Sequence, residues 1–334
     1  MVWDWTRYPK DSTCSISLSN EGRRADSRAI GSRDCPGFFD AVWVRRHGRP
    51  QTNSATHPAD REFIRIESGA HLKGMLASIE CPRWVNHPTN SMAAEDKLCQ
   101  LKMARDHGFN IPNTLVTNDP SQLRRFYLNN HRDIVHKSFH PMMWIKPDGT
   151  ECFVETTRVP REVIDNEAVV MACPGIYQER ILKGFELRVT VIGHSVYGAQ
   201  LMSQERKETT DWRIEELLGN VPLKRYGISP EVRRQCIGLC RLMGLNFATI
   251  DLVVGKGGGI TFLELNQAGN FLFCDRADPT MALFEAFCSY LAHGRRAQHS
   301  DRWPSLQDFH DDPAANEGIE LSEIPRGPEY IGRE

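Results

Sequence analysis

The sequence lacks any run of 18 or more apolar residues, which argues against a membrane-spanning helix. Its opening, MVWDWTRYPKDSTCS, has no apolar core of the kind a secretory signal needs, so no signal peptide is expected. Charge of either sign is hardly in excess: 41 Lys and Arg stand against 43 Asp and Glu, a formal net charge of -2. That balance excludes a strongly basic nucleic-acid coat and an acidic tail, while leaving room for a local basic groove. The pairs Arg23-Arg24, Arg45-Arg46 and Arg295-Arg296 are scattered, so no nucleic-acid partner is expected. GxGxxG, HExxH, GxSxG and kinase-type HRD motifs are all missing, and several conventional enzyme classes lose support with them. Ten cysteines are present, yet none forms a CxxC pair. Cys236 and Cys240 lie four apart among apolar residues in CIGLC, which reads as packing rather than zinc binding. A reducing, cytoplasmic setting is the expectation.

What is present suffices for a sizeable core: 334 residues, of which 40% are hydrophobic and 25% charged, enough for roughly two to three domains. Residues 1–37 are polar with poor hydrophobic spacing and read as loop or a weakly ordered arm. FFDAVWVRR, 38–46, reads as a buried strand, and 47–60 as loop. Ile64, Leu72, Met75, Leu76 and Ile79 fall at helical spacing and predict one or two helices over 61–80. A short strand at 82–86 and a helix over 91–108, stopped by Gly108, follow. The stretch 110–120 reads as a strand leading to a turn. There Asp119 and Pro120 are a capping residue and first-turn proline for a helix carrying Leu123, Phe126 and Tyr127.

From 133 the pattern turns to strands. They are 133–139, a hairpin with Asp148-Gly149 in its turn, 175–181, and a second hairpin, 186–193 with 195–202, around His194. Residues 203–228 read as loop and 230–243 as a helix. The stretch 248–266 is a hairpin whose GKGGG turn lacks phosphate-loop spacing and lies between two strands. A helix over 279–293 and a polar tail from 295 complete the reading.

The chemistry gathers on that last hairpin. Strand alternation puts Glu264 and Asn266 of ITFLELN on one face and Leu263 and Leu265 on the other. With Asp251 on the preceding strand they make two carboxylates and an amide oxygen, donors suited to magnesium; a polar face on a half-buried hairpin accounts for the same alternation. Arg188, in the apolar run ELRVTVIG, needs an anionic partner, either Glu186 on the same strand face or a phosphate. Lys97 and Lys137 are further basic candidates.

Several segments in order, AVWVRR, RWVNHP, AAEDKLCQLKMARDHGFNIPNTLVTNDP, YQERILKGFELRVTVIG, SQERKETTDWR and ATIDLVV followed by TFLELNQAGNFLF, resemble the ATP-grasp ligases. The likeness is to those that build microviridin-type (graspetide) ester or amide crosslinks, and it runs from about 38 to 293. The resemblance implies an α/β ATP-grasp fold, with nucleotide held between a central mixed domain (116–183) and a C-terminal antiparallel-sheet domain (184–294). It also implies a short atypical N-terminal α/β domain (1–115) and leaves a polar tail (295–334). It makes Lys97 and Lys137 nucleotide-contacting lysines and Gln178, Glu179, Arg180 and Ile181 the linker along the adenine. Glu186 becomes an acidic residue near the ribose, and Arg188 the arginine at the phosphates and the developing acyl phosphate. Arg213 is a second catalytic candidate beside Arg188 and Lys137. Asp251, Glu264 and Asn266 become Mg²⁺ ligands.

The implied activity uses ATP and Mg²⁺ to activate a carboxylate as an acyl phosphate, which an amine or hydroxyl then attacks. The partner is a carboxylate-bearing peptide or small molecule, in a protein that can be a homodimer, with neither nucleic acid nor membrane involved. Joining an amino acid to a small-molecule or protein carboxylate, and a non-catalytic ATP-binding role, are the other readings. The chain has Gln267 and Asn270 in NQAGN where relatives usually have NPAGQ.

Overall fold

In a computed structural model, the residues described are 8–45 (except 19, 21–26, 32 and 36), 50–140, 143–145, 151–153, 156–202, 222–294 and 303–311. Within 1–37 the chain forms a three-stranded antiparallel sheet of β1 (Cys14–Ser17), β2 (Ser27–Ile30) and β3 (Arg33–Asp34). The expectation of loop there was wrong. Its strands are too short for alternation to stand out, and pairing with neighbours supplies what the local pattern does not. The expected strand over 38–46 shrinks to β4 (Val42–Trp43), which lies parallel to β5 (Trp84–Val85). A 17-residue helix, Arg61–Ala77, connects them, burying Leu72, Met75 and Leu76 on one stripe.

The single helix expected over 91–108 is two, Pro88–Ala93 and Lys97–Asp106. Asp96 is extended and accepts from the Leu98 and Cys99 amides, both at 2.9 Å, so it caps a new helix rather than continuing the old one. β6 (Thr114–Thr117) then leads to the helix Pro120–Asn129, whose cap is the expected Asp119.

β7 (Ile134–Lys137) follows. β8 (Met143–Ile145) pairs antiparallel with β9 (Glu151–Phe153), the expected hairpin; its turn, 146–150, is outside the described residues. β10 (Thr157–Arg158) precedes two short helices, Arg161–Asp165 and Glu167–Ala172, absent from the sequence reading. β11 (Gly175–Glu179) completes a four-stranded sheet in the order β10-β7-β11-β6. Leu123, Ile134, Ile164, Val170 and Tyr177 form its core.

β12 (Lys183–Ile192), β13 (Ser195–Leu201), β14 (Leu223–Tyr226), β15 (Phe247–Gly255) and β16 (Ile260–Asn266) make an antiparallel sheet in the order β14-β13-β12-β15-β16. β14 lies where loop was expected. One face of this sheet is apolar. Leu187, Val189 and Val191 of β12, with Ile250 and Leu252 of β15, pack on Leu101 and Ala104 of the helix Lys97–Asp106. Cys236, Leu239 and Cys240 of the helix Pro230–Leu242 close the same core. Both cysteines are free and buried, and burial pushes the Cys236 thiol up to about 12, as packing thiols require.

The helix expected over 279–293 begins at Leu283, after a turn of 3₁₀ helix at Pro279–Met281, and a further helix, Leu272–Ala277, precedes it. In the tail, Leu306–Asp311 is helical, and Phe309 meets Phe284 with ring centroids 5.5 Å apart. Among the described residues no helix is long and apolar enough to cross a membrane.

Candidate active site

The second face of the five-stranded sheet carries the polar residues. Because successive side chains alternate, the residues that put Leu187, Val189 and Val191 into the core put Glu186, Arg188 and Thr190 on the other side. In register, Arg188 of β12 stands opposite Asp251 of β15, which stands opposite Glu264 of β16. Thr249, two residues from Asp251, is opposite Asn266. Asp251, Glu264 and Asn266 therefore share one face, as expected.

One part of that expectation fails. A bulge between Asp251 and Leu252 inserts Leu263 into the β15–β16 ladder. Phe262 and Leu265 both face the core, while Leu263 joins the wall of a cleft beside Glu264.

That cleft runs between the two larger sheets. Val135, Ile181, Val253, Leu263 and Pro112 give it an apolar slot, and Lys137, Lys183, Glu186, Asp251 and Glu264 give it a charged end. The linker Gln178–Ile181 forms one side. Its three polar side chains are held by neighbouring residues. Glu179 accepts from the Asn113 amide at 2.9 Å and from Asn113 Nδ2 at 3.1 Å; Arg180 Nε donates to both Asp133 oxygens at 2.9 Å. The Arg180 guanidinium holds the Asp133 carboxyl below the usual carboxylate range. Gln178 is buried and donates to Thr114 Oγ1 at 3.0 Å. Ile181 itself lines the apolar part of the cleft.

At the charged end, Arg188 Nη1 grips Asp251 at 2.7 and 3.0 Å, and its Nη2 donates to the Asn270 carbonyl at 2.9 Å. Both side chains are nearly fully buried. The partner of Arg188 is thus Asp251, not Glu186, which instead takes Lys183 at 2.7 Å. Lys137 Nζ lies 3.9 Å from Glu264. Lys97 does not line the cleft; its amine donates to the Ser138 carbonyl at 2.7 Å, one residue past Lys137. Arg213 lies outside the described residues.

Sequence reasoning missed Lys183, whose place directly after the linker was the available signal. It also missed two buried amides, Asn86 and Gln100, which hold the backbone around Asn266. Their signal was a polar side chain at a position the apolar pattern reserves for the core.

The loop after β16 is tied down throughout. Gln267 Nε2 donates to Glu95 at 2.9 Å, and Arg45 reaches the Ala268 carbonyl at 2.9 Å and the Asn270 side-chain oxygen. Gly269 lies so close to β15 that a Cβ there would fall 1.8 Å from Thr249 Oγ1, so no other residue fits.

Among the described residues no three His, Cys, Asp or Glu side chains gather as a metal cage. Magnesium does not need one: it keeps waters and draws on one or two carboxylates plus substrate phosphates. Two carboxylates in direct cross-strand register, with Asn266 on the same face, fit that donor chemistry.

The fold is the ATP-grasp fold, and the chain is similar to the ADP-forming ATP-grasp ligases. Within that class the chain is similar to the ligases that mature ribosomal peptides. A RiPP-associated ATP-grasp ligase of Chryseobacterium gregarium, in complex with ADP and a leader and core peptide, matches with a TM-score of 0.80 and 24% identity. The match covers 90% of each chain. The macrocyclase MdnC of Microcystis aeruginosa, bound with precursor peptide MdnA, matches with a TM-score of 0.75 and 26% identity over 88% of this chain and 91% of that one. N-acetylaspartylglutamate synthase A of Mus musculus is 24% identical over 235 residues, 64% of this chain and 55% of the mouse protein. The chain thus spans about half the length of that curated relative. No family model matches the chain.

Proposed function

We propose that the protein is an ATP-dependent ligase that activates a side-chain carboxylate of a ribosomal peptide and closes it onto a hydroxyl or amine of the same peptide. The observation that carries this reading is the row Arg188–Asp251–Glu264, with Lys137 beside it, at the charged end of an apolar slot. The peptide part rests on the likeness to the two ligases bound to peptides.

In this reading the adenine enters the slot between Val135, Ile181, Val253 and Leu263, with linker backbone along its edge. Glu186 and Lys183 lie toward the ribose. Lys137 and Arg188 offset phosphate charge, since a carboxylate approaching a triphosphate is otherwise repelled. Asp251, Glu264 and Asn266 would hold magnesium, which would neutralise charge on the phosphate oxygens. The substrate carboxylate oxygen attacks the γ-phosphorus and ADP leaves. The acceptor then attacks the acyl carbon and phosphate leaves, with proximity supplying much of the second step. Lys97, through the Ser138 carbonyl, steadies the chain just past Lys137. We also propose the division 1–115, 116–183, 184–294 and a tail from 295, which the confinement of the five-stranded sheet to 183–266 supports.

Mass spectrometry of candidate precursor peptides incubated with the protein, ATP and Mg²⁺ tests the reading. Loss of one water per bond is expected, with a matching release of ADP. The mouse relative favours a second reading, the joining of an amino acid to a small carboxylate. ADP release with small carboxylates and amines, but with no peptide, would select it.

A further inference from the structure

Asn266 is bracketed by two buried amides that belong to neither the cleft nor its strand. Gln100, on the helix Lys97–Asp106, accepts from the Leu265 N–H at 2.9 Å and donates to the Leu265 carbonyl at 2.8 Å. Its remaining donor goes to the Ala94 carbonyl at 2.7 Å. β16 is an edge strand, so this side chain serves as a one-residue neighbour at the point where no strand pairs with it. On the other side, Asn86 donates to the Gln267 carbonyl at 2.8 Å and the Phe247 carbonyl at 2.7 Å. Its oxygen accepts from the Asn246 and Phe247 amides at 2.8 and 2.9 Å. Gln100 is 3% exposed and Asn86 1%.

A carboxamide offers two donors and an acceptor oxygen with two lone pairs. Asn86 spends all four on backbone, and Gln100 spends both donors and its oxygen there. Neither has a donor left for a ligand. What they control is the backbone on each side of Asn266: the peptide groups around Leu265 through Gln100, and the Gln267 carbonyl through Asn86. Fixing those groups fixes the direction in which the Asn266 side chain leaves the strand.

We propose that Asn86 and Gln100 are positioning residues that aim Asn266 at the magnesium. The proposal rests on the metal reading given above. Groups that orient a metal ligand without touching the ion typically affect affinity roughly 10- to 100-fold. The route is also structural: the amides come from two separate segments and meet at one ligand, which places the first part of the chain in control of a residue on the last strand.

The test is Mn²⁺ binding by the full chain in the presence of ADP, followed by electron paramagnetic resonance. Four variants are compared: Gln100→Met, Gln100→Glu, Asn266→Ala and Glu264→Gln. Gln100→Met keeps the volume and loses every bond; Gln100→Glu keeps the bond from the Leu265 N–H and carries the comparison if the first does not fold. ADP binding without metal is measured in parallel. The expected result is about a 10-fold or greater loss of Mn²⁺ affinity in the Gln100 variants, with metal-free ADP binding unchanged. If Asn266→Ala and Glu264→Gln weaken Mn²⁺ binding while folded Gln100 variants do not, the positioning role is overturned and the metal reading stands. If none of the variants changes Mn²⁺ binding, the metal reading fails and takes the proposal with it.

Discussion

Arg188 and Asp251 face each other across adjacent strands, and the guanidinium holds both carboxylate oxygens within 3.0 Å in a nearly dry setting. Removing one member of such a pair strands the other's charge. Arg188→Ala is therefore expected to cost about 3–5 kcal/mol in urea unfolding. Arg188→Lys, which keeps charge without the fork, should recover part of the stability and little of the turnover. Equal stability in Arg188→Ala and the parent protein would contradict this account.

Glu264 has Lys137 at 3.9 Å, too far for a strong hydrogen bond, and its proposed part is in holding the metal rather than the fold. Glu264→Gln should leave the melting temperature close to the parent's and lower ATP-dependent turnover by roughly 100-fold. ADP release at saturating ATP and Mg²⁺ is the measurement.

In the proposed reading, the linker clamps act on nucleotide affinity. Arg180→Ala leaves Asp133 paired with Arg158, at 3.0 Å, and loosens the strip of backbone along the slot, at a site only partly buried. The KM for ATP should rise about two- to five-fold with kcat little changed. A fall in kcat at constant KM would point instead to a part in the chemical step.

His136, whose ring meets that of Tyr177 at a tilt with centroids 5.4 Å apart, is pushed below its ordinary value of 6.5 by desolvation. The unfolded chain then takes up a proton more readily than the folded one, so this residue's contribution is intact above about 6.5 and is lost as pH falls through the lower folded value. A melting temperature that drops below pH 6.5 in the parent, and drops less in His136→Gln, is the expected outcome.

Thiol labelling should divide the cysteines by burial. Cys99 and Cys173 are exposed, whereas Cys236 is pushed up to about 12 by burial and Cys240 is raised as well. Iodoacetamide on the native protein should modify the first two and spare the helix pair until denaturant is added, as read by peptide mass spectrometry.

The sequence was most legible where one physical rule acts alone. Asp119-Pro120 names a helix start because capping is local, and ELRVTVIG names its two faces because polar and apolar residues alternate along it, although both faces are buried. It was least legible where a distant partner decides. β1–β3 exist because short strands find each other, and the break at Asp96 depends on a cap inside an otherwise helical pattern. Leu263 shows the limit within the site itself: strict alternation assigns it to the core, and one inserted residue in the ladder turns it to the cleft. The shared face of Asp251, Glu264 and Asn266 was readable from their spacing; the two buried amides that hold the backbone beside Asn266 were not, since hydrogen bonds to backbone 165 and 181 residues away leave no periodic trace.

The ties between residues 266–270 and Arg45, Asn86 and Glu95 bear on any attempt to recombine this protein with its relatives. A hybrid that trades only the first hundred residues would also exchange the anchors of the loop that follows β16. Such a graft must carry Gln267 and Asn270 along with it, so that both ends of each tie are inherited together.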